Sequence, residues 1–121
     1  MGRRVVVIED SEQLRTLIKM ALSGIAEVRT AKSLVEAWNQ LGDAFAPELV
    51  ITDFDLGEST GQDGLSVAEA FRDRFPAIPI LVTTGTSIQH PRLARLLELP
   101  GVTLLQKPFD PDELCAVVER L

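Results

Sequence analysis

Leu49-Val50-Ile51-Thr52-Asp53-Phe54-Asp55-Leu56-Gly57 is the stretch that decides the fold. Its first four residues are apolar or β-branched and run straight into a carboxylate, with a second carboxylate two residues on. An apolar run this short, bounded by polar residues, reads as a strand buried on both faces, as in parallel sheets. The carboxyl end of such a strand lies at the mouth of the sheet, where open α/β folds bind ligands. Asp53 therefore stands at a candidate site, and the remaining chain is read for what converges on it.

Upstream, Val5-Val6-Val7-Ile8 is a second buried strand and ends in Glu9-Asp10. Asp10 or Ser11 can cap a helix whose apolar positions Leu14, Leu17, Ile18, Ala21 and Leu22 recur at helical spacing, with Gly24 as the stop. Ala26 to Thr30 alternates small or apolar with charged residues, the pattern of an edge strand with one wet face. Leu34, Ala37, Trp38 and Leu41 form a second helical stripe before Gly42. Downstream of Asp53, Phe54 to Asp63 is a loop. A helix runs from about Leu65 to Arg74, with Leu65, Ala68 and Phe71 or Phe75 inward, and Pro76 ends it. Ile78 to Val82 is a fourth strand, closing in Thr83-Thr84-Gly85. After a loop over Thr86 to His90, Pro91 opens a helix carrying Leu93, Leu96 and Leu97, closed by Pro100-Gly101. Val102 to Leu105 is the last strand, ending in Gln106-Lys107-Pro108. Asp110-Pro111-Asp112-Glu113 is a capping-box start for a helix burying Leu114, Val117, Val118 and Leu121.

Five β-α units in succession predict an α/β fold: a single domain with a mainly parallel sheet, helices on both faces and right-handed crossovers. All five strands then point one way, and Glu9-Asp10, Asp53, Thr83-Thr84 and Lys107 gather at one edge. The 121 residues suit one core. A net charge of −6 argues against a general nucleic-acid or membrane-surface role, since both need basic patches. One cysteine, Cys115, forbids an intrachain disulfide and fits a reducing, cytoplasmic setting. The early apolar run is too short for a signal peptide or a membrane span, and Val6 stands where an N-myristoylation site needs Ser or Thr. No internal repeat is visible.

Three clustered carboxylates repel; two charges about 4 Å apart cost roughly 4 kcal/mol at an effective dielectric of 20. A hard divalent cation relieves this, and Mg²⁺ takes carboxylate, water and phosphate oxygens. A lysine ammonium can pair with Asp53 or with an incoming phosphate, and a threonine hydroxyl can donate to a phosphoryl oxygen. Together these parts suit phosphoryl transfer to an aspartate nucleophile.

With these pieces in order, the chain resembles the receiver domains of two-component response regulators over nearly its whole length, as one domain spanning residues 1–121. The matching motifs are Glu9-Asp10, Asp53, Thr84-Gly85 and Lys107-Pro108-Phe109. The resemblance implies a doubly wound (βα)5 flavodoxin-like fold, a five-stranded parallel sheet in order 2-1-3-4-5. It implies that Asp53 is the phosphoacceptor, receiving a phosphoryl group from a phosphohistidine of a histidine kinase or a histidine phosphotransfer protein. Asp10 binds Mg²⁺ directly, Glu9 helps through water, and Asp53 and the Asp55 backbone carbonyl complete the metal set. Thr84 is the switch hydroxyl, Lys107 contacts the phosphoryl group, and the Lys107-Pro108 peptide is cis. The expected partners are that kinase or phosphotransfer protein and an unidentified output domain or protein, with a homodimer on phosphorylation, no direct nucleic acid and no membrane insertion. The chain is read as a signalling domain that at most catalyses its own phosphorylation and dephosphorylation, either stand-alone or cut from a larger regulator or hybrid kinase. Three departures stand out. Gly64 comes three residues later than usual and the loop lacks the usual proline. An acidic Asp55 side chain lies beside the site. Leu104 occupies the position of the usual aromatic switch.

Two other readings use the same residues. In a phosphatase of the haloacid dehalogenase type, Asp53 is the nucleophile and Asp55 the acid/base. A flavodoxin-like module binds partners without phosphorylation. Singly, the residues have plainer uses: Asp-x-Asp as turn chemistry, Lys107 as a surface lysine and Thr83 as strand structure. Likewise His90 reads as a solvated loop residue, Trp38 as core and Cys115 as a structural thiol. Glu58, Asp63, Glu69 and Asp73 read as solvated surface.

Overall fold

The computed structural model describes residues 2–42, 44–56, 62–85 and 89–121. Strands and helices alternate: β1 (Arg3–Ile8), α1 (Glu12–Leu22), β2 (Ala26–Ala31), α2 (Leu34–Leu41), β3 (Leu49–Asp53), α3 (Gly64–Arg74), β4 (Ile80–Thr84), α4 (Pro91–Leu97), β5 (Val102–Gln106) and α5 (Pro111–Arg120). The sheet order is β2-β1-β3-β4-β5, and every pairing is parallel. This is the α/β flavodoxin-like architecture expected from the sequence, with β2 at an edge and β3 in the centre.

Alternation along the strands sorts the apolar residues into two layers. Val5, Val7, Leu49, Ile51 and Leu81 pack with Ile18 and Leu22 of α1 and Leu114 and Val118 of α5. Val6, Ile8, Val50, Ile80 and Val82 pack with Ala37 and Leu41 of α2, Phe71 of α3 and Leu93 and Leu96 of α4. Trp38 is half-buried against this second layer, with its ring 4.6 Å from that of Phe71. Cys115 is a half-buried free thiol that donates to the Ala21 carbonyl at 3.2 Å, in keeping with a structural role.

The helix starts follow their caps. Ser11, Ser33 and Asp63 each accept from the backbone N–H three residues on. Asp110 and Glu113 form a reciprocal capping box, with Pro111 at the first turn. Gly42 ends α2 with φ of +56°, a conformation that favours glycine.

Some boundaries differ from the sequence expectation. β4 starts at Ile80, because the Ile78 N–H turns back to the Phe75 carbonyl and Pro79 has no N–H for the ladder. α4 ends at Leu97, before Pro100-Gly101, and Leu97 itself is exposed. His90 caps α4: its Nδ1 accepts from the Arg92 N–H, and its ring meets Phe54 edge-on. Asp63 is a helix cap as well as a partner of the Arg92 guanidinium, and Glu69 pairs with Arg95 at 3.6 Å. Glu58, the middle of the loop after Asp53 and most of the loop after Gly85 lie outside the described residues.

Gly64 fixes how α3 meets the residues just past Asp53. Its N–H donates to the Phe54 carbonyl at 2.9 Å, and a Cβ there would lie 2.7 Å from Phe54 Cα. Gly64→Ala is expected to lower stability by about 1–3 kcal/mol through this backbone clash. A lower urea midpoint with an unchanged slope checks it; an unchanged midpoint contradicts it.

Candidate functional site

Parallel strands in register bring their carboxyl ends to one edge. Glu9 and Asp10 follow β1, and Asp53 is the last residue of β3. One carboxylate oxygen from each of these three acids lies within 4.8 Å of the others. Glu9 and Asp53 are buried, while Asp10 faces solvent. Lys107, just past β5, reaches across the edge, its Nζ 3.3 Å from Glu9 Oε1 and 3.1 Å from Asp53 Oδ1. The Lys107–Pro108 peptide is cis. The Lys107 N–H donates to the Thr84 carbonyl at 2.8 Å and anchors the lysine to β4.

Local hydrogen bonds hold the acids in place. Glu9 Oε2 accepts from the Ser11 N–H at 3.0 Å. Arg15, on the first turns of α1, donates to the carbonyls of Glu9 and Asp10 and braces the turn between them. Thr84, buried at the end of β4, donates from Oγ1 to Asp55 Oδ2 at 3.2 Å. The structure therefore gathers Glu9, Asp10, Asp53 and Lys107 directly, and ties Thr84 to the Asp55 side chain.

The electrostatics follow from burial. Desolvation pushes the Glu9 carboxyl up from 4.5 to about 7; the nearby Asp10 and Asp53 carboxyls add to this, and the Ser11 N–H and Lys107 oppose it. Burial likewise raises Asp53, against the pull of Lys107 and the Asp55 N–H. Burial alone would lower Lys107, but the Asp53 and Glu9 charges outweigh it and hold the ammonium above its ordinary value. One cation thus serves two buried carboxylates, with the exposed carboxylate of Asp10 beside them.

The donor set fits a hard divalent cation. All the side-chain donors are carboxylate oxygens, and Asp53 Oδ1 is buried with no hydrogen-bond partner among the described residues, its contact with Lys107 being an ion pair. Sequence reading placed these residues at one edge; it did not single out Arg15, which carries no motif, or Thr83, which it assigned to strand structure.

Residues 5–119 match the family of the response regulator receiver domain. The chain belongs to that family. It is 32% identical to the chemotaxis protein CheY1 of Helicobacter pylori over 92% of this chain and 90% of that protein. It is 29% identical to the DNA-binding transcriptional regulator NtrC of Salmonella typhimurium over 99% of this chain, but that match spans only 25% of NtrC. The receiver domain of NtrX from Brucella abortus superposes with a TM-score of 0.83 at 27% identity, over 96% of this chain and 95% of that one. Receiver domains of this kind are signalling domains of two-component systems, and the acidic cluster is suited to Mg²⁺ and phosphorylation. Among the described residues no helix is long and apolar enough to cross a membrane.

The raised Glu9 pKa has a consequence for stability. The unfolded chain gives up this proton near pH 4.5, the native chain near 7. Between those values the native state holds the extra proton, so stability falls as pH rises through the window, by up to about 3 kcal/mol, and the loss is complete above it. The raised Asp53 acts in the same direction. Metal-free protein is expected to melt at a higher temperature at pH 5 than at pH 8, and Glu9→Gln to flatten that slope. Equal slopes for the two proteins would show that Glu9 titrates normally.

Proposed function

We propose that this receiver domain, residues 1–121, takes a phosphoryl group onto Asp53 from the phosphohistidine of a histidine kinase or a histidine phosphotransfer protein, and returns it to water. The observation that carries the reading is a buried aspartate on the central strand, its Oδ1 held by one ammonium and its carboxylate beside two further acids. An Asp53 carboxylate oxygen attacks phosphorus. The phosphorus–nitrogen bond breaks, its electron pair stays on the imidazole, and an acyl phosphate forms on Asp53. Hydrolysis of that acyl phosphate regenerates the carboxylate and inorganic phosphate.

Asp10, Asp53 and the Asp55 backbone carbonyl would hold Mg²⁺, with Glu9 acting through water. Bound Mg²⁺ supplies positive charge against the phosphoryl oxygens. The Lys107 ammonium gives an ion pair to a phosphoryl oxygen, as it now does to two carboxylates. Thr84 trades Asp55 Oδ2 for a phosphoryl oxygen, which shifts the end of β4. The altered face, near Thr84, Leu104 and α5, meets the output domain or protein, and a homodimer on phosphorylation is one form of that output. The setting is cytoplasmic, where such kinases have their phosphodonor.

Intact mass after incubation with acetyl phosphate or phosphoramidate and Mg²⁺ tests the reading. One phosphoryl adduct is expected on the wild type, and none on Asp53→Asn or without Mg²⁺. Donor consumed over many turnovers with no adduct would overturn it in favour of a phosphatase using Asp53 and Asp55.

Melting curves give a second check. Asp53→Asn relieves repulsion in a buried cluster, so it is expected to raise the melting temperature of the metal-free protein. Mg²⁺ is expected to raise that of the wild type by mass action. Absence of both effects would show that the cluster does not behave as a cation site.

A further inference from the structure

We propose that Thr83, on β4, is the hydrogen-bond donor that orients the Asp53 carboxylate, a role that rests on Asp53 being the phosphoacceptor. Asp53 and Thr83 are register partners across the parallel β3–β4 pair. Partners in register share a face, with strands about 4.8 Å apart. The face is fixed by the residues two positions earlier: Ile51 and Leu81 both pack in the layer between the sheet and α1 and α5. Val7, two before Glu9, and Leu105, two before Lys107, belong to the same layer. Glu9, Asp53, Thr83 and Lys107 therefore emerge on one face, and Thr83 stands between the nucleophile's strand and the strand that carries the lysine.

Thr83 is 1% exposed, and its Oγ1 has no hydrogen-bond partner among the described residues. Asp53 Oδ1 likewise accepts no hydrogen bond among the described residues, its one close contact being the ion pair with the Lys107 ammonium at 3.1 Å. A buried hydroxyl left unpaired destabilises, and valine would fill the same space without that penalty. Ile80, Leu81 and Val82, which precede Thr83 in β4, are all apolar. A hydroxyl on this buried face thus has one evident use, as a second donor, beside the Lys107 ammonium, to the Asp53 carboxylate on the neighbouring strand. A step between the staggered rotamers of Thr83 re-aims the hydroxyl on the shared face. Donation to one Asp53 oxygen fixes the carboxylate's rotation, so that the other oxygen is held toward the incoming phosphorus. Thr83 acts through Asp53 and is a positioning residue, distinct from Thr84, whose hydroxyl is engaged with Asp55 on the loop.

Thr83→Val and Thr83→Ser separate this role from packing. With acetyl phosphate and Mg²⁺, Thr83→Val is expected to lower the maximal rate of Asp53 labelling about tenfold while leaving the half-saturating donor concentration unchanged, and Thr83→Ser to restore the rate. Labelling of Thr83→Val at the wild-type rate, or Thr83→Ser as slow as Thr83→Val, overturns the proposal. A stability cycle with Asp53→Ala, by urea unfolding without Mg²⁺, reads the contact independently of chemistry. Thr83→Val is expected to lower the midpoint when Asp53 is present and to leave it level or raise it when Asp53 is alanine. Additive effects overturn the contact. A wild type that takes no phosphoryl group would instead overturn the phosphoacceptor reading, and the cycle would still decide whether Thr83 and Asp53 are coupled.

Discussion

Two buried carboxylates, Glu9 and Asp53, share the ammonium of Lys107, and the arrangement of the whole strand edge depends on that sharing. Without the lysine, two acids would sit a few ångströms apart in a desolvated layer, and breaking one side of a buried ion pair typically costs about 3–5 kcal/mol. With it, the site is still a charge short. Burial first, and the neighbouring acids after it, push the Glu9 carboxyl up to about 7. An added cation resolves the deficit.

The sharing works only because the strands are in register. Asp53 pairs with Thr83, and Ile8 with Thr52 one step earlier, so Glu9 and Asp53 leave the sheet at one level. Lys107 starts further along, beyond Gln106, and comes back over the edge with its N–H on the Thr84 carbonyl. A one-residue slip of β3 would turn Asp53 to the face of α2 and α3 and present Thr52 in its place. The apolar residues on both faces of β1, β3 and β4 prevent this: each strand is wedged between two core layers that fix its depth.

Much of this was legible in the residues. The short runs Val5–Ile8 and Leu49–Thr52 could only be doubly covered strands, and the polar residues following them had to meet at one edge once the β-α alternation was read. Gly42, Asp110 and Pro111 announced helix ends for reasons local to the backbone. What was not legible depended on contacts between distant segments. Asp63 looked like one more loop acid, yet it caps α3 through the Ser66 N–H and pairs with Arg92 on another helix. His90 is exposed, as the sequence suggested, but nothing nearby in sequence shows that its Nδ1 accepts the Arg92 N–H and that its ring meets Phe54. Thr83 looked like strand structure beside the switch hydroxyl Thr84, and only the register shows that it shares a face with Asp53.

That pair of threonines also bears on how far a phosphoryl signal travels. Moving a population from 1:99 to 99:1 takes about 5.5 kcal/mol. A hydroxyl bonded to a charged group contributes about 1.5–3 kcal/mol, and the Thr84 hydroxyl already has the Asp55 carboxylate. Exchanging that bond for one to a phosphoryl oxygen gains only the difference, so Thr84 alone leaves the switch incomplete. Leu104, half-buried against the layer under α4, has no ring or hydroxyl with which to trade positions as Thr84 moves. Under the phosphorylation proposed for Asp53, the remainder would come from the releasing of Lys107 from its two carboxylates and from repacking where β4 meets α4. On this reading Asp55 is a brake as well as a neighbour. It stabilises the resting position of Thr84, and a partner that binds the shifted face supplies the free energy the phosphoryl group does not.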